Sequence, residues 1–291
     1  MRSFVADQVR ASLSGGTNYA VGGATTGVEN FVEVWNVTPS DLKPDYANKG
    51  NAWQLSSFSA ASPAFDPETS LFMVWLFPND PFYLSASSGL GVGTFAGGAS
   101  TNGIVLPTAV DNIIGTIQEL AGFGARNFLV PNSPDLGLIP EFLGSPSEAS
   151  FTQLSSTFNT NLATALHGLA VSRPDLSIEA FQTDDLFAEV RADPGAFGFS
   201  DVSNRCQTTA GCGNGSAEDQ SSFLFWDGSH PTTAGHALIG QRFYQAVYEQ
   251  VPGPLPAAGV VVVLGWSRRL RSRIRLSGAS RLQASEPKNQ P

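Results

Sequence analysis

Residues 71–80 read Leu-Phe-Met-Val-Trp-Leu-Phe-Pro-Asn-Asp. Leu71 to Leu76 is an uncharged apolar run of strand length, and Pro78, Asn79 and Asp80 close it with turn residues. A run without polar alternation belongs in a strand buried on both faces, as in a parallel sheet. Asn18–Val21, Asn127–Val130 and Ile178–Gln182 have the same character. Helical periodicity fills the spaces between and after these runs. Pro107–Gly122 places Val110, Ile113, Ile114, Ile117 and Leu120 on one face, and Ser147–Val171 does so with Phe151, Leu154, Phe158, Leu162, Leu166 and Leu169. Thr232–Gln250 follows Pro231, which suits a first helical turn, and a weaker pattern covers about 49–61. Strands alternating with helices predict an α/β fold whose parallel sheet is covered on both faces. Residues 83–103, rich in Gly and Ser, and residues 191–222, without periodicity, read as loops.

Composition narrows the function. The chain has 291 residues and is 42% hydrophobic, enough for a sizeable core. Its net charge of −9 argues against a general nucleic-acid binder. The charge is divided unevenly: residues 251–291 carry seven bases and one acid, which leaves the first 250 residues near −15. An acidic body, 1–250, is therefore separated from a basic tail, 251–291. The tail runs from a Pro-rich hinge (VPGPLPAAG) through the apolar Ala257–Trp266 into an arginine cluster. An apolar run of that length is too short for an ordinary span of about 20 residues. Hinge, apolar stretch and basic stop still make sense at a membrane, with the arginines on the cytoplasmic side; the other reading is a buried strand with a solvated basic end. Cys206 and Cys212 would close a small disulfide loop in an exported protein and stay free thiols in the cytoplasm.

The strongest chemical signal is Trp226-Asp227-Gly228-Ser229-His230-Pro231, followed by Thr232-Thr233-Ala234-Gly235-His236. A carboxylate three residues before a histidine can meet one ring nitrogen within a single turn. It then fixes the tautomer and stabilises the imidazolium formed when the other nitrogen takes a proton. The string FLFWDGSHPTTAGH resembles the last block of the GDSL esterase/lipase family, a branch of the SGNH hydrolases. Gly16–Thr26 (GTNYAVGGATT) resembles that family's second block, whose glycine donates a backbone N–H to the oxyanion; by position this is Gly23, with Gly22 the neighbouring alternative. Trp75–Asp80 resembles the third block, G-x-N-D, and assigns a second oxyanion donor to the Asn79 side chain, with Phe77 standing where the family has glycine. The resemblance spans roughly residues 12–248 and implies a flavodoxin-like α/β/α sandwich. It also implies hydrolysis of a carboxylic ester without metal or cofactor: His230 as general base, Asp227 as its orienting partner, Gly23 and Asn79 as oxyanion donors. The implied substrate is a lipid, a small acyl ester or an acetylated glycan.

The family's nucleophile is the serine of a G-D-S block at the end of its first strand, and no Gly-Asp-Ser triplet occurs in this sequence. The nucleophile is thus unassigned. The chain is expected to begin downstream of that block and to lack the first strand, which in the family lies inside the sheet, between the second and third. Asn18–Val21 would then lose a ladder neighbour. Two other readings stand beside this one: a non-catalytic, glycan-binding envelope or matrix protein, and a replacement serine such as Ser229. In each case the chain is expected to show little or no esterase activity. The tail resembles PEP-CTERM sorting signals in the variant with Pro-Leu-Pro-Ala, with Pro252-Gly253-Pro254 departing from the usual Pro-Glu-Pro. That resemblance implies export to a bacterial envelope, tail processing and a transient membrane contact.

Other residues have plainer readings. His167 and His236 read as surface or structural histidines on helices, and Asp184 and Asp185 as solvated loop acids. Asp80 orients its loop through bonds to backbone N–H groups. Trp53, Trp75 and Trp226 read as core or cleft-wall aromatics.

Overall fold

The computed structural model describes residues 18–87 and 106–248. The tail, the expected membrane segment and the serines at positions 3, 12 and 14 lie outside the described residues. Up to Phe243 the residues belong to one unit; Tyr244–Tyr248, the last ones described, belong to a second and carry a stacked Tyr244–Tyr248 pair.

Short helices α1 (Phe31–Val34), α2 (Lys43–Tyr46) and α3 (Asn51–Ala61) precede strand β1 (Leu71–Met73). Next come α4 (Asn79–Ser87), α5 (Leu106–Gly122), β2 (Asn127–Pro131), α6 (Glu148–Ser172), β3 (Ser177–Phe181) and α7 (Thr183–Ala192). The described chain ends with β4 (Asp201–Arg205), α8 (Ala217–Ser221), β5 (Phe223–Phe225) and α9 (Thr233–Tyr248). Strands β1, β2 and β3 form a parallel sheet in that order, with Leu71 opposite Asn127 and Phe128 opposite Ile178. β4 and β5 form a second parallel pair.

The helical periodicity lands where the core is. Val110, Ile113, Ile117 and Leu120 of α5 are buried, and so are all six apolar positions expected on α6. The two helices pack against each other over the centre of the chain. β2 is the buried strand, with Phe128, Leu129 and Val130 each nearly inaccessible. On the β1 side Phe58 gathers Tyr19, Phe65, Phe72 and Phe123 into an aromatic cluster with ring centroids 5.3–6.2 Å apart.

Several expectations are corrected. Asn18–Val21 forms no strand. A strand exists only as part of a ladder, and β1, the edge of its sheet among the described residues, does not pair with it. Leu71 and Met73 on that edge strand are 40% and 57% exposed. Tyr83–Ser87, read as loop, is the continuation of α4. The segment 191–222 holds β4 and α8, too short to show a period. Cys206 and Cys212 form a disulfide and both are buried. Pro231 does not open the last helix. It pairs antiparallel with Phe225, and Thr232 caps the helix instead, its hydroxyl accepting from the Gly235 N–H at 3.1 Å.

Candidate active site

β5 ends at Phe225, and the chain reverses within the next few residues. The Trp226 N–H donates to the His230 carbonyl at 2.8 Å, and the Thr232 N–H returns to the Leu224 carbonyl at 2.9 Å. Within this turn the Asp227 Oδ1 accepts from the backbone N–H groups of Ser229 (2.9 Å) and His230 (2.8 Å). Such a side chain–backbone turn is what an Asp followed by Gly-Ser favours. It also brings the carboxylate to the imidazole: His230 Nδ1 lies 3.0 Å from Oδ1 and 2.9 Å from Oδ2.

Two supports hold the turn from outside. The Glu141 N–H donates to the Gly228 carbonyl at 2.9 Å, and the Gln207 N–H to the Trp226 carbonyl at 2.8 Å. Glu141 is itself paired with Arg205 at 2.7 Å. A Cβ on Gly228 would run into the Glu141 carboxylate, so a larger residue would have to displace that side chain from beside the turn. Gln207 follows Cys206, so the disulfide loop sits directly against the turn.

The electrostatics suit a proton acceptor. The hydrogen bond from Nδ1 to the Asp227 carboxylate, reinforced by its charge, raises the His230 pKa above the ordinary histidine value, against the opposing effect of partial desolvation. Burial pushes the Asp227 carboxyl up, but the His230 ring and the Ser229 and His230 N–H groups outweigh it and hold it below the usual range. The His230 side chain is 63% exposed, and no described residue hydrogen-bonds its Nε2. With Nδ1 committed to Asp227, Nε2 is the nitrogen free to accept a proton. The Ser229 hydroxyl lies 3.4 Å from Nδ1, the nitrogen already bonded to the carboxylate, and is therefore not placed at Nε2.

The second group of residues is built at the other end of the chain. Gly23 has φ +79°, and its N–H has no partner among the described residues. A Cβ there would meet the Asn30 Oδ1 at 2.5 Å. Asn30, fully buried, fixes this glycine turn: its Nδ2 donates to the carbonyls of Gly22 (3.0 Å) and Lys49 (3.1 Å), and its Oδ1 accepts from the Val32 N–H (2.9 Å). Asn79 opens α4 and donates from Nδ2 to the Ala24 carbonyl at 3.1 Å. A carboxamide has two N–H donors, so one remains for another acceptor. Phe77 sits at φ +108°, a conformation costing about 1–3 kcal/mol for a residue with a Cβ. Its buried ring stacks on Phe158 at 3.7 Å, which supplies compensating contact.

The structure thus joins Asp227 to His230, and Asn79 to the residue after Gly23. No hydrogen bond among the described residues links the two groups to each other. Asn30 was not readable as a site residue: its signal is a long-range pair of carbonyl contacts. Asp184 is corrected from a solvated acid. It is half-buried and accepts from Asn132 (2.6 Å) and Asn159 (3.0 Å) at the start of α7. His167 and His236 are exposed on their helices.

The family model for GDSL-like lipase/acylhydrolase matches residues 1–243. An uncharacterised protein from the trpE–trpG intergenic region of Pseudomonas putida is 28% identical over 80% of this chain and 38% of its own length. Esterase EstA of Pseudomonas aeruginosa is 32% identical over 57% of this chain and 26% of its own. A GDSL esterase/lipase of Arabidopsis thaliana is 27% identical over 45% of this chain and 39% of its own. The chain spans between about a quarter and two-fifths of the length of these relatives. A family match over most of the sequence, on a parallel-stranded α/β fold, makes this chain a member of the GDSL lipase/acylhydrolase family.

Proposed function

We propose that this chain carries the base and oxyanion machinery of a carboxylic ester hydrolase. His230 takes the proton of a serine hydroxyl through Nε2, and Asp227 orients the ring and stabilises the imidazolium. The Gly23 N–H and the second N–H of Asn79 hold the carbonyl oxygen as it becomes negative. The serine attacks the carbonyl carbon, the alkoxide leaves with the proton from His230, and water releases the acid in the reverse sense. The observation carrying this reading is the Asp227–His230 pair, with both carboxylate oxygens at Nδ1 and Nε2 left open.

The attacking serine belongs to a Gly-Asp-Ser block that this sequence does not contain, so residues 1–291 alone should be inactive. The experiment compares p-nitrophenyl butyrate hydrolysis by this chain with hydrolysis by the product of the same gene extended through its in-frame upstream codons. Hydrolysis by the extended protein alone, lost in His230→Ala, is expected. His230-dependent hydrolysis by residues 1–291 would place the nucleophile inside the chain. Inactivity of both proteins would refute the hydrolase and leave the glycan-binding reading.

Substrate class follows only loosely: lipid, small acyl ester and acetylated glycan all fit an ester hydrolase. The tail is proposed to direct export and envelope sorting, on the strength of its hinge, apolar stretch and arginine cluster. A reporter fused to residues 251–291 should change its processing in a host with the sorting machinery; an unchanged reporter would count against the tail.

A further inference from the structure

Asp80 is a carboxylate the mechanism does not use, and it is buried, at 1% exposure, beside a residue that the mechanism does use. Its Oδ2 accepts from the Thr26 N–H at 3.0 Å and its Oδ1 from the Thr26 hydroxyl at 2.6 Å. These bonds cross 54 residues of sequence and tie the glycine-turn segment to the first turn of α4. The neighbouring Asn79–Ala24 bond runs between the same two segments. Thr26 is fastened from the other side as well. Its hydroxyl accepts from Asn112 of α5 at 3.3 Å, and its carbonyl accepts from Asn51 of α3 at 3.4 Å. Asn51 is held in turn by the Thr116 hydroxyl at 2.6 Å.

We propose that Asp80 and Thr26 form a proton-linked positioning joint that keeps the Gly23 and Asn79 donors in register. The assignment of those two residues as oxyanion donors rests on the hydrolase reading; the joint itself rests on the geometry. An ionised Asp80 offers two acceptors to two Thr26 donors, and every bond of the joint is made. A protonated Asp80 must give its proton to something, and the atom opposite Oδ1 is the Thr26 hydroxyl. That hydroxyl then has to turn its own hydrogen away, toward no acceptor the network provides. A single proton thereby turns the hydroxyl bond around and strands the Thr26 hydrogen, while Oδ2 still accepts from the Thr26 N–H, so the joint is weakened. Burial raises the Asp80 pKa to about 7, against the lowering effect of both Thr26 bonds. Glu29 is the charged group among the described residues whose field reaches Asp80, and it acts in the same direction as burial. The groups closing the network from α3 and α5, Asn51, Asn112 and Thr116, are neutral. The joint therefore changes state near neutral pH.

The test is a nitrogen–proton NMR titration of the whole chain between pH 5 and pH 9 with no substrate present. The backbone signals of Gly23 and Thr26 and the carboxamide signals of Asn79 should move together with one midpoint near pH 7. His230→Ala should leave that midpoint in place, which separates it from titration of the imidazole. Asp80→Asn should abolish the shared movement. Thr26→Val, which removes the hydroxyl with its bonds to Asp80 and Asn112 and keeps the backbone N–H bond, should raise the midpoint, and Thr26→Ser should restore it; this pair keeps the test decisive if Asp80→Asn does not fold. Because no ester is involved, an intact joint in a protein without hydrolysis would sink the function and not the joint. Gly23 and Asn79 signals that stay flat while Thr26 moves, or a titration that survives Asp80→Asn, would overturn the proposal.

Discussion

Ionising Asp80 costs the folded protein stability, and the size of the effect follows from its surroundings. The unfolded carboxyl titrates near 3.8 and the buried one at about 7. As pH rises from about 4, the unfolded chain releases its proton first, so the folded state binds more protons throughout the window between those values. Stability therefore falls with rising pH across the window, by up to about 1.4 kcal/mol per pH unit, and is level above and below it. Integrated over the window, the loss is about 4 kcal/mol. The carboxylate is fully buried, so solvent screening does not reduce the figure. Domains of this kind are stable by about 5–15 kcal/mol in total, and the effect is a large part of that. Urea unfolding of wild type and Asp80→Asn at steps from pH 4.5 to pH 8 isolates it, because every other titrating group is common to both proteins. The asparagine keeps an acceptor for the Thr26 N–H but has no proton to lose. Between pH 4.5 and pH 8 the stability of wild type relative to the variant should therefore fall by about 3 kcal/mol. A difference constant to within about 1 kcal/mol would refute the reasoning, since Asp80 would then titrate as it does in the unfolded chain.

Asp227→Asn removes the hydrogen bond and charge that raise the His230 pKa and leaves only burial, so the pKa should fall. The imidazole Cε1–H proton shift reads this directly, and an unchanged midpoint would exclude Asp227 as the cause. The wild-type pair stabilises the fold most between the ordinary Asp and His values. The Asp227 share is lost as pH falls, because that pKa is lowered, and the His230 share is lost as pH rises, because that one is raised. Gly23→Ala must hold φ +79° and push against Asn30 and Val32. A loss of about 1–3 kcal/mol in denaturant unfolding is expected, and a neutral result would show that the turn relaxes freely. Replacing Cys206 and Cys212 together by serine should cost about 2 kcal/mol from the short loop. Hydrogen exchange at the Gln207 amide should accelerate with it, because that N–H holds the Trp226 carbonyl; protection equal to wild type would uncouple the disulfide from the histidine turn.

Helices α5 and α6 and strand β2 were legible because each is long or apolar enough for its own periodicity to declare a buried face. The Asp227–His230 contact was legible for a related reason: it is made within four consecutive residues, so spacing alone brings carboxylate to ring. Elements whose existence depends on a partner were not legible. Asn18–Val21 has the composition of a strand and forms none, since pairing is a property of two segments and not of one. β4 (Asp-Val-Ser-Asn-Arg) is as long as β2 but polar almost throughout, and β5 has only three residues, so neither shows a buried apolar run. The positive φ of Phe77 was not legible either, because the contact that accompanies it is the ring of Phe158, distant in sequence.

The amino-acid order by itself determined the α/β class, the acidic body with its basic tail, and the contact of Asp227 with His230, all of them features carried by neighbours along the chain. Only the tertiary structure decided that Asn30 pins the glycine turn, that Asp80 grips Thr26, and that Ser229 meets the wrong nitrogen of His230. Those facts depend on directed bonds, most of them between residues far apart in the sequence. Such bonds are set when burial brings distant polar groups together and leaves them no water to bind instead.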